Sequence, residues 1–305
     1  MSAEYARPGH TPAPLPTPPC RESTVDTGRG GTLLIREWGP RSAPAVIHHH
    51  GTPSSSAAVP GGWHGPDRAR VRVVTFDRPG WARSHDQPGR TVGDAARWTE
   101  QVADACGIGR FAVMGVSGGG PHALAAAALL GDRVGALCVS VGLGPVEADG
   151  FDTTEGMCAE TVEEITAARL GEVPLRRFVE AAAGGDVPMD AWLAQLPASD
   201  REILTREAVR AEEAVEEREW VDGGLNGWVE DDLALFGRPW GFDPSAVTTP
   251  TLLVYGGADV LVPASHGAAY LTLLPHAELR VHPDAGHWMT DHDQDALSWL
   301  TRHLA

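Results

Sequence analysis

Apolar residues recur along this 305-residue chain in two rhythms. Seven short runs are rich in Val, Leu and Ile and end on Gly, Pro, Ser, Asp or a similar turn former: TLLIREWG (32–39), AVIHHHG (45–51), VRVVTFD (71–77), FAVMGVS (111–117), VGALCVSVG (134–142), TLLVYGG (251–257) and AELRVHP (277–283). Such runs predict strands. Segments of helical length lie between several of them, among them TVGDAARWTEQVADACG (91–107), PASHGAAYLTLL (263–274) and the alanine-rich stretch that follows Ser117. Strands alternating with helices predict an α/β fold, a three-layer α/β/α sandwich around a mostly parallel sheet. Sites in such sheets gather at the carboxyl ends of the strands.

The pattern breaks between 145 and 240. This segment holds 23 acidic and 8 basic residues, a balance of −15, and leaves only −2 of the total −17 for the other 209 residues. Clustered positive charge, which phosphate binding requires, is missing, so no nucleic-acid partner is expected. Within the block Leu204, Ala208, Ala211 and Val215 recur at helical spacing, with Glu212, Glu213, Glu216, Glu217 and Glu219 on the other face. The spacing predicts an amphipathic helix whose acidic side is solvated. Solubility is its simplest role; a sharper one is to repel anionic substrates.

Residues 1–22 carry prolines at 8, 12, 14, 16, 18 and 19 and no apolar run, which predicts an extended tail and no leader peptide. No stretch has the length of a membrane span. The four cysteines, Cys20, Cys106, Cys138 and Cys158, are scattered without a CxxC pair, which points to a reduced, cytoplasmic setting and away from a zinc ribbon. All 24 basic residues are arginine. Schiff-base chemistry, pyridoxal phosphate attachment and a phosphate-loop lysine are therefore excluded.

Chemistry-bearing residues stand at the predicted strand ends: His50-Gly51-Thr52-Pro53, Asp77-Arg78-Pro79-Gly80, Gly115-Val116-Ser117-Gly118-Gly119, Gly256-Gly257-Ala258-Asp259 and Gly286-His287. GxSxG between a strand and a helix, with an HG turn and an RPG loop before it and GxxD and GH after it, resembles the α/β-hydrolase fold superfamily over residues 30–144 and 241–305. The resemblance implies residues 23–144 and 241–305 as the two parts of the core and 145–240 as an inserted helical cap. It further implies Ser117 as nucleophile, His287 as base and Asp259 as the acid that orients it, with Glu147 or Asp149 as the acid if it follows the preceding strand. The backbone N–H groups of Thr52 and Gly118 would form the oxyanion hole. The glycines fit this assignment, since the apex of a sharp strand-to-helix turn leaves no room for neighbouring side chains.

Ser at the nucleophile position departs from the Asp of epoxide hydrolases and haloalkane dehalogenases, and GVSGGG departs from the GGSWG of proline iminopeptidases. Between His50 and Val71 the Gly-, Pro- and Ser-rich sequence predicts a shortened first helix. His48 and His50 share one strand face, but no partner cluster at ligand spacing accompanies them, so the rings are expected to buttress the oxyanion turn rather than hold a metal. Asp77 and Arg78 are expected to bond neighbouring turns. Trp192, Trp220, Trp228 and Trp240, with Trp81 and Trp288, suggest an apolar pocket or core. The sequence thus predicts a cofactor-independent serine hydrolase for a small to medium ester, lactone or thioester, its substrate neutral and partly apolar. Carbon–carbon bond hydrolysis, perhydrolysis and acyl transfer share the same triad. A protein that only binds a small ligand on this fold is the alternative of a different class.

Overall fold

The computed structural model describes residues 20–28, 30–59, 70–184 and 189–304. Eight strands form one sheet: β1 (Arg21–Asp26), β2 (Thr32–Trp38), β3 (Ala45–His49), β4 (Arg72–Phe76), β5 (Phe111–Val116), β6 (Val134–Ser140), β7 (Thr251–Gly256) and β8 (Ala277–His282). Their spatial order is β1-β2-β4-β3-β5-β6-β7-β8. β2 runs antiparallel to both of its neighbours, β1 and β4, and every other pairing is parallel. Seven strands fall where the apolar runs predict them. β1 was not predicted and begins inside the expected tail, whose residues 1–19 lie outside the described set.

The central strands β3, β4, β6 and β7 are buried at every position and mostly apolar because both faces of the sheet are covered. Phe111 and Val113 of β5 pack on one side with α1 (Asp94–Ala105) and α2 (Gly119–Leu130), and with Tyr270 of α9 (Ser265–Tyr270). Ala112 and Met114 pack on the other with Leu297 and Leu300 of α10 (Asp293–Arg302). No helix is found over 51–59, and the rest of the expected shortened helix, 60–69, lies outside the described residues.

Between β6 and β7 the chain forms an inserted helical region: α3 (Ala159–Leu170), α4 (Glu172–Gly184), α5 (Met189–Leu193), α6 (Ala198–Thr205), α7 (Glu207–Gly223) and α8 (Asn226–Asp232), the last continued by a π-helical turn over Leu233–Gly237. Its small core joins Leu175, Val179, Trp228 and Val229 to Trp81 of the sheet domain.

The acidic helix differs from its sequence pattern. An extended Arg206 separates α6 from α7, so Leu204 and Val215 stand on different helices. Val209 is buried while Val215 is exposed. Glu216 and Glu219 turn inward: Ser54 donates to Glu216 at 2.6 Å, Ser55 donates to Glu219 at 2.9 Å, and Arg36 pairs with Glu219 at 2.6 Å. Polar partners on the sheet domain set the orientation of α7, and a thin apolar stripe does not override them. Glu217 faces solvent as expected; the side chains of Ala208 and Glu212 lie outside the described set.

Candidate active site

Ser117 follows the last residue of β5 and adopts φ 53°, a left-handed conformation costly for a residue with a side chain. The turn is held from both sides, by Ser117 N–H donating to the Ser140 carbonyl at 3.0 Å and Gly120 N–H donating to the Ser117 carbonyl at 2.9 Å. Backbone crowding explains the glycines. A Cβ on Gly115 would overlap the Gly119 carbonyl, and one on Gly119 would overlap the carbonyls of His49 and His50. A Cβ on Gly118 would stand 2.7 Å from Thr52 Oγ1, and one on Gly51 would touch the Ser117 side chain at 3.7 Å. Thr52 and Gly118 therefore lie against each other beside Ser117.

The turn after β3 is built on buried charge. Arg78 donates through Nη1 to the His50 carbonyl at 2.6 Å and through Nη2 to the Gly51 carbonyl at 2.9 Å and Thr52 Oγ1 at 3.1 Å. Asp231 of α8 neutralises it from the cap side at 2.5 Å, and also takes Arg90 at 2.5 Å, Thr52 Oγ1 at 2.8 Å and Trp81 Nε1 at 2.9 Å. Burial alone would raise the Asp231 carboxyl, yet the two guanidinium groups hold it well below the usual carboxylate range. His50 accepts at Nε2 from Arg78 N–H, 3.3 Å, so its Nδ1 carries the proton and donates to the Gly51 carbonyl at 2.8 Å. Arg78 thus bonds neighbouring turns as expected, and Asp77 does the same by accepting from Ser56 N–H at 2.6 Å. Among the described residues no group of three His, Cys, Asp or Glu is arranged to hold a metal ion.

Beyond β7, Asp259 Oδ1 accepts from the N–H groups of Leu261 and Val262, both at 2.8 Å, which leaves Oδ2 for His287 Nδ1 at 2.8 Å. This bond puts the proton on Nδ1 and frees Nε2 to act as a base. Burial would lower the His287 pKa; the Asp259 charge and hydrogen bond outweigh it and raise the value above that of an ordinary histidine. Glu147 and Asp149 are exposed, and Glu147 accepts from Trp240 N–H at 3.3 Å instead.

The profile of the alpha/beta hydrolase fold family matches residues 44–292. The chain belongs to this family. It is similar to a non-heme chloroperoxidase of Streptomyces lividans, 26% identical over 86% of this chain and 95% of the relative. It is also similar to a 2-hydroxy-6-oxononadienedioate/2-hydroxy-6-oxononatrienedioate hydrolase of Pseudomonas sp, 27% identical over 88% of this chain and 90% of the relative. A thermophilic esterase from Thermogutta terrifontis shares the fold at a TM-score of 0.69, with 19% identity over 93% of this chain and all of that one.

The cap of this α/β-hydrolase meets the His287 loop through Trp192 and Glu213, which the sequence pattern singled out, and through one residue that it did not. Asp200 of α6 accepts from the N–H groups of His287 at 2.9 Å and Trp288 at 3.1 Å. Trp288 donates through Nε1 to Glu213 at 2.9 Å and meets the Trp192 ring edge-on at 5.9 Å. Trp81, Trp228 and Trp240 are buried in packing and Trp220 meets Trp228 edge-on at 5.7 Å, so of the six tryptophans Trp192 and Trp288 are the ones gathered beside His287. A signal for Asp231 did exist: it lies three residues after Trp228 and four before Leu235, an acid on an otherwise apolar helical stripe. For Asp200 the sequence carried none.

Proposed function

We propose that this protein is a cofactor-independent serine hydrolase that cleaves a small to medium ester, lactone or thioester through an acyl-enzyme. The observation that carries this reading is the Asp259–His287 hydrogen bond, with a proton-free Nε2, at the same carboxyl edge of the parallel sheet as a serine raised on a strained turn. Ser117 Oγ attacks the carbonyl carbon while its proton passes to His287 Nε2, and Asp259 stabilises the imidazolium. The N–H groups of Thr52 and Gly118 receive the oxyanion, where one lost donor costs about 3 kcal/mol of transition-state stabilisation. His287 then returns the proton to the leaving alkoxide or thiolate, and water, deprotonated by the same ring, releases the acid.

Trp192 and Trp288 supply an apolar wall for one half of the substrate. Glu213 and Glu216 of α7 contact Trp288 on one side and Ser54 on the other, a row of carboxylates between the histidine loop and the turn after β3. Such a row favours neutral substrates over anions. It also argues against a dicarboxylate such as the one for which the Pseudomonas relative is named. Carbon–carbon bond hydrolysis of a neutral diketone uses the same groups and is the second reading, supported by similarity to that relative.

A panel of neutral esters with acyl and alcohol size varied separately, run beside a diketone series, tests the proposal. Saturable ester hydrolysis that falls on the order of 10⁶-fold in Ser117→Ala is expected. Turnover of the diketones alone would move the assignment to the second reading, and ligand binding without turnover of either series would contradict both.

A further inference from the structure

Asp200 is fully buried, and both of its carboxylate oxygens are occupied by consecutive amides of one loop. The seat is shaped for it: a Cβ on Gly286 would overlap the carboxylate, so the glycine before His287 is the notch into which a cap side chain fits. Further contacts join the cap to the same stretch of chain, with Arg206 forked on Asp291 at 2.7 and 2.9 Å and Glu213 of α7 on Trp288 Nε1. Asp200 alone among these bonds the backbone of the histidine itself.

We propose that Asp200 is a positioning residue through which the cap assembles the general base. Its carboxylate fixes the backbone of 287–288 so that the imidazole meets Asp259, and the histidine loop is therefore set only while α6 is seated on it. This inference rests on the serine-hydrolase reading. The charged groups facing the ring come from three elements: Asp259 after β7, Asp200 on α6 and Glu213 on α7. Each favours the imidazolium, so removing one lowers the pH at which the ring loses its proton.

Asp200→Asn keeps the size of the side chain but cannot accept from both amides and carries no charge. The expected result is a fall in kcat of roughly 10- to 100-fold, the scale of a small misplacement of a reacting group. KM should stay within about twofold, and the acid limb of kcat/KM against pH should move to lower pH. Gly286→Ala reaches the same contact from the other side, displacing the carboxylate while keeping its charge; kcat should fall with a smaller movement of the acid limb. Arg206→Ala, which breaks only the exposed pair with Asp291, should leave the limb in place. A folded Asp200→Asn protein with unchanged kcat and an unmoved limb, even one of lower Tm, overturns the proposal. If that variant does not fold, Gly286→Ala decides, and wild-type kcat there overturns it. Labelling of the wild type by a fluorophosphonate separates the two readings: no adduct on Ser117 means the serine-hydrolase reading has failed, whereas a labelled wild type beside an unaffected Asp200→Asn means that the positioning role alone has failed.

Discussion

Ser117 pays for its exposure in backbone energy, of order 1–3 kcal/mol for a non-glycine residue held at positive φ. The surrounding glycines make that geometry possible, and Gly119→Ala should unfold the elbow, because the added methyl meets backbone carbonyls of the neighbouring strand that cannot swing aside. Expression and far-UV circular dichroism would check this. His287 provides a second test. Under the proposed mechanism only the neutral ring can accept the Ser117 proton, so its raised pKa should place the acid limb of kcat/KM above about 6.5, the ordinary histidine value. Asp259→Asn should lower that limb and reduce kcat about 10⁴-fold, the consequence of presenting the wrong tautomer. Asp231→Asn should destabilise by about 3–5 kcal/mol, as breaking a buried pair leaves the Arg78 and Arg90 charges without compensation. Urea titration measures it. Ser117, Asp259 and His287 were legible in the sequence because each sits in a short local pattern at a strand end. Asp200 was not, since its partners are main-chain amides 87 and 88 residues away.

Among the elements, α7 carries the clearest consequence. Glu216→Gln together with Glu213→Gln should raise kcat/KM for carboxylate-bearing esters relative to matched neutral ones, most at low salt where exposed charges are least screened. An unchanged ratio would leave the glutamates a structural role only. The orientation of this helix was hidden in the sequence because Arg36, which draws Glu219 inward, precedes it by 183 residues. β1 was hidden for another reason: RESTVD is exposed at nearly every position, so an edge strand with no buried face leaves no apolar period to read. The six inner strands, β2 to β7, were plain because burial on both faces leaves little room for polar residues. Between α3 and α8, the half-buried Glu164 meets the buried Asp232, with Trp228 Nε1 donating to Glu164 at 2.7 Å. Burial raises both; the Glu164 charge adds to it and carries Asp232 well above the usual carboxylate range, while the hydrogen bond with Asp232 works in the opposite sense on Glu164. The stability from the shared proton is present at low pH and is lost as pH rises through the raised value. Asp232→Asn should flatten the decline in Tm that sets in as pH rises above the ordinary carboxylate range.

Across the whole molecule, acid acts through histidines. Burial, aided by the Arg78 charge, pushes His48 and His122 down to about 3; burial takes His266 to about 4 and His49 and His50 well below their ordinary value. Groups with depressed folded pKa values stabilise the fold above about 6.5 and lose that contribution as pH falls, each with a slope of about 1.4 kcal/mol per pH unit. Unfolding free energy should therefore drop steeply between pH 6.5 and 5, and unfolding in that range should take up several protons. A flat profile would mean that these rings are not buried in the neutral form.

The central claim is that distant stretches of the chain converge to make Ser117 a nucleophile. Mass mapping of the adduct formed with a fluorophosphonate tests it most directly. The account predicts one adduct, on Ser117, absent in Ser117→Ala and formed far more slowly in His287→Ala. A folded wild-type protein that takes no label, or takes it at another residue, would contradict it.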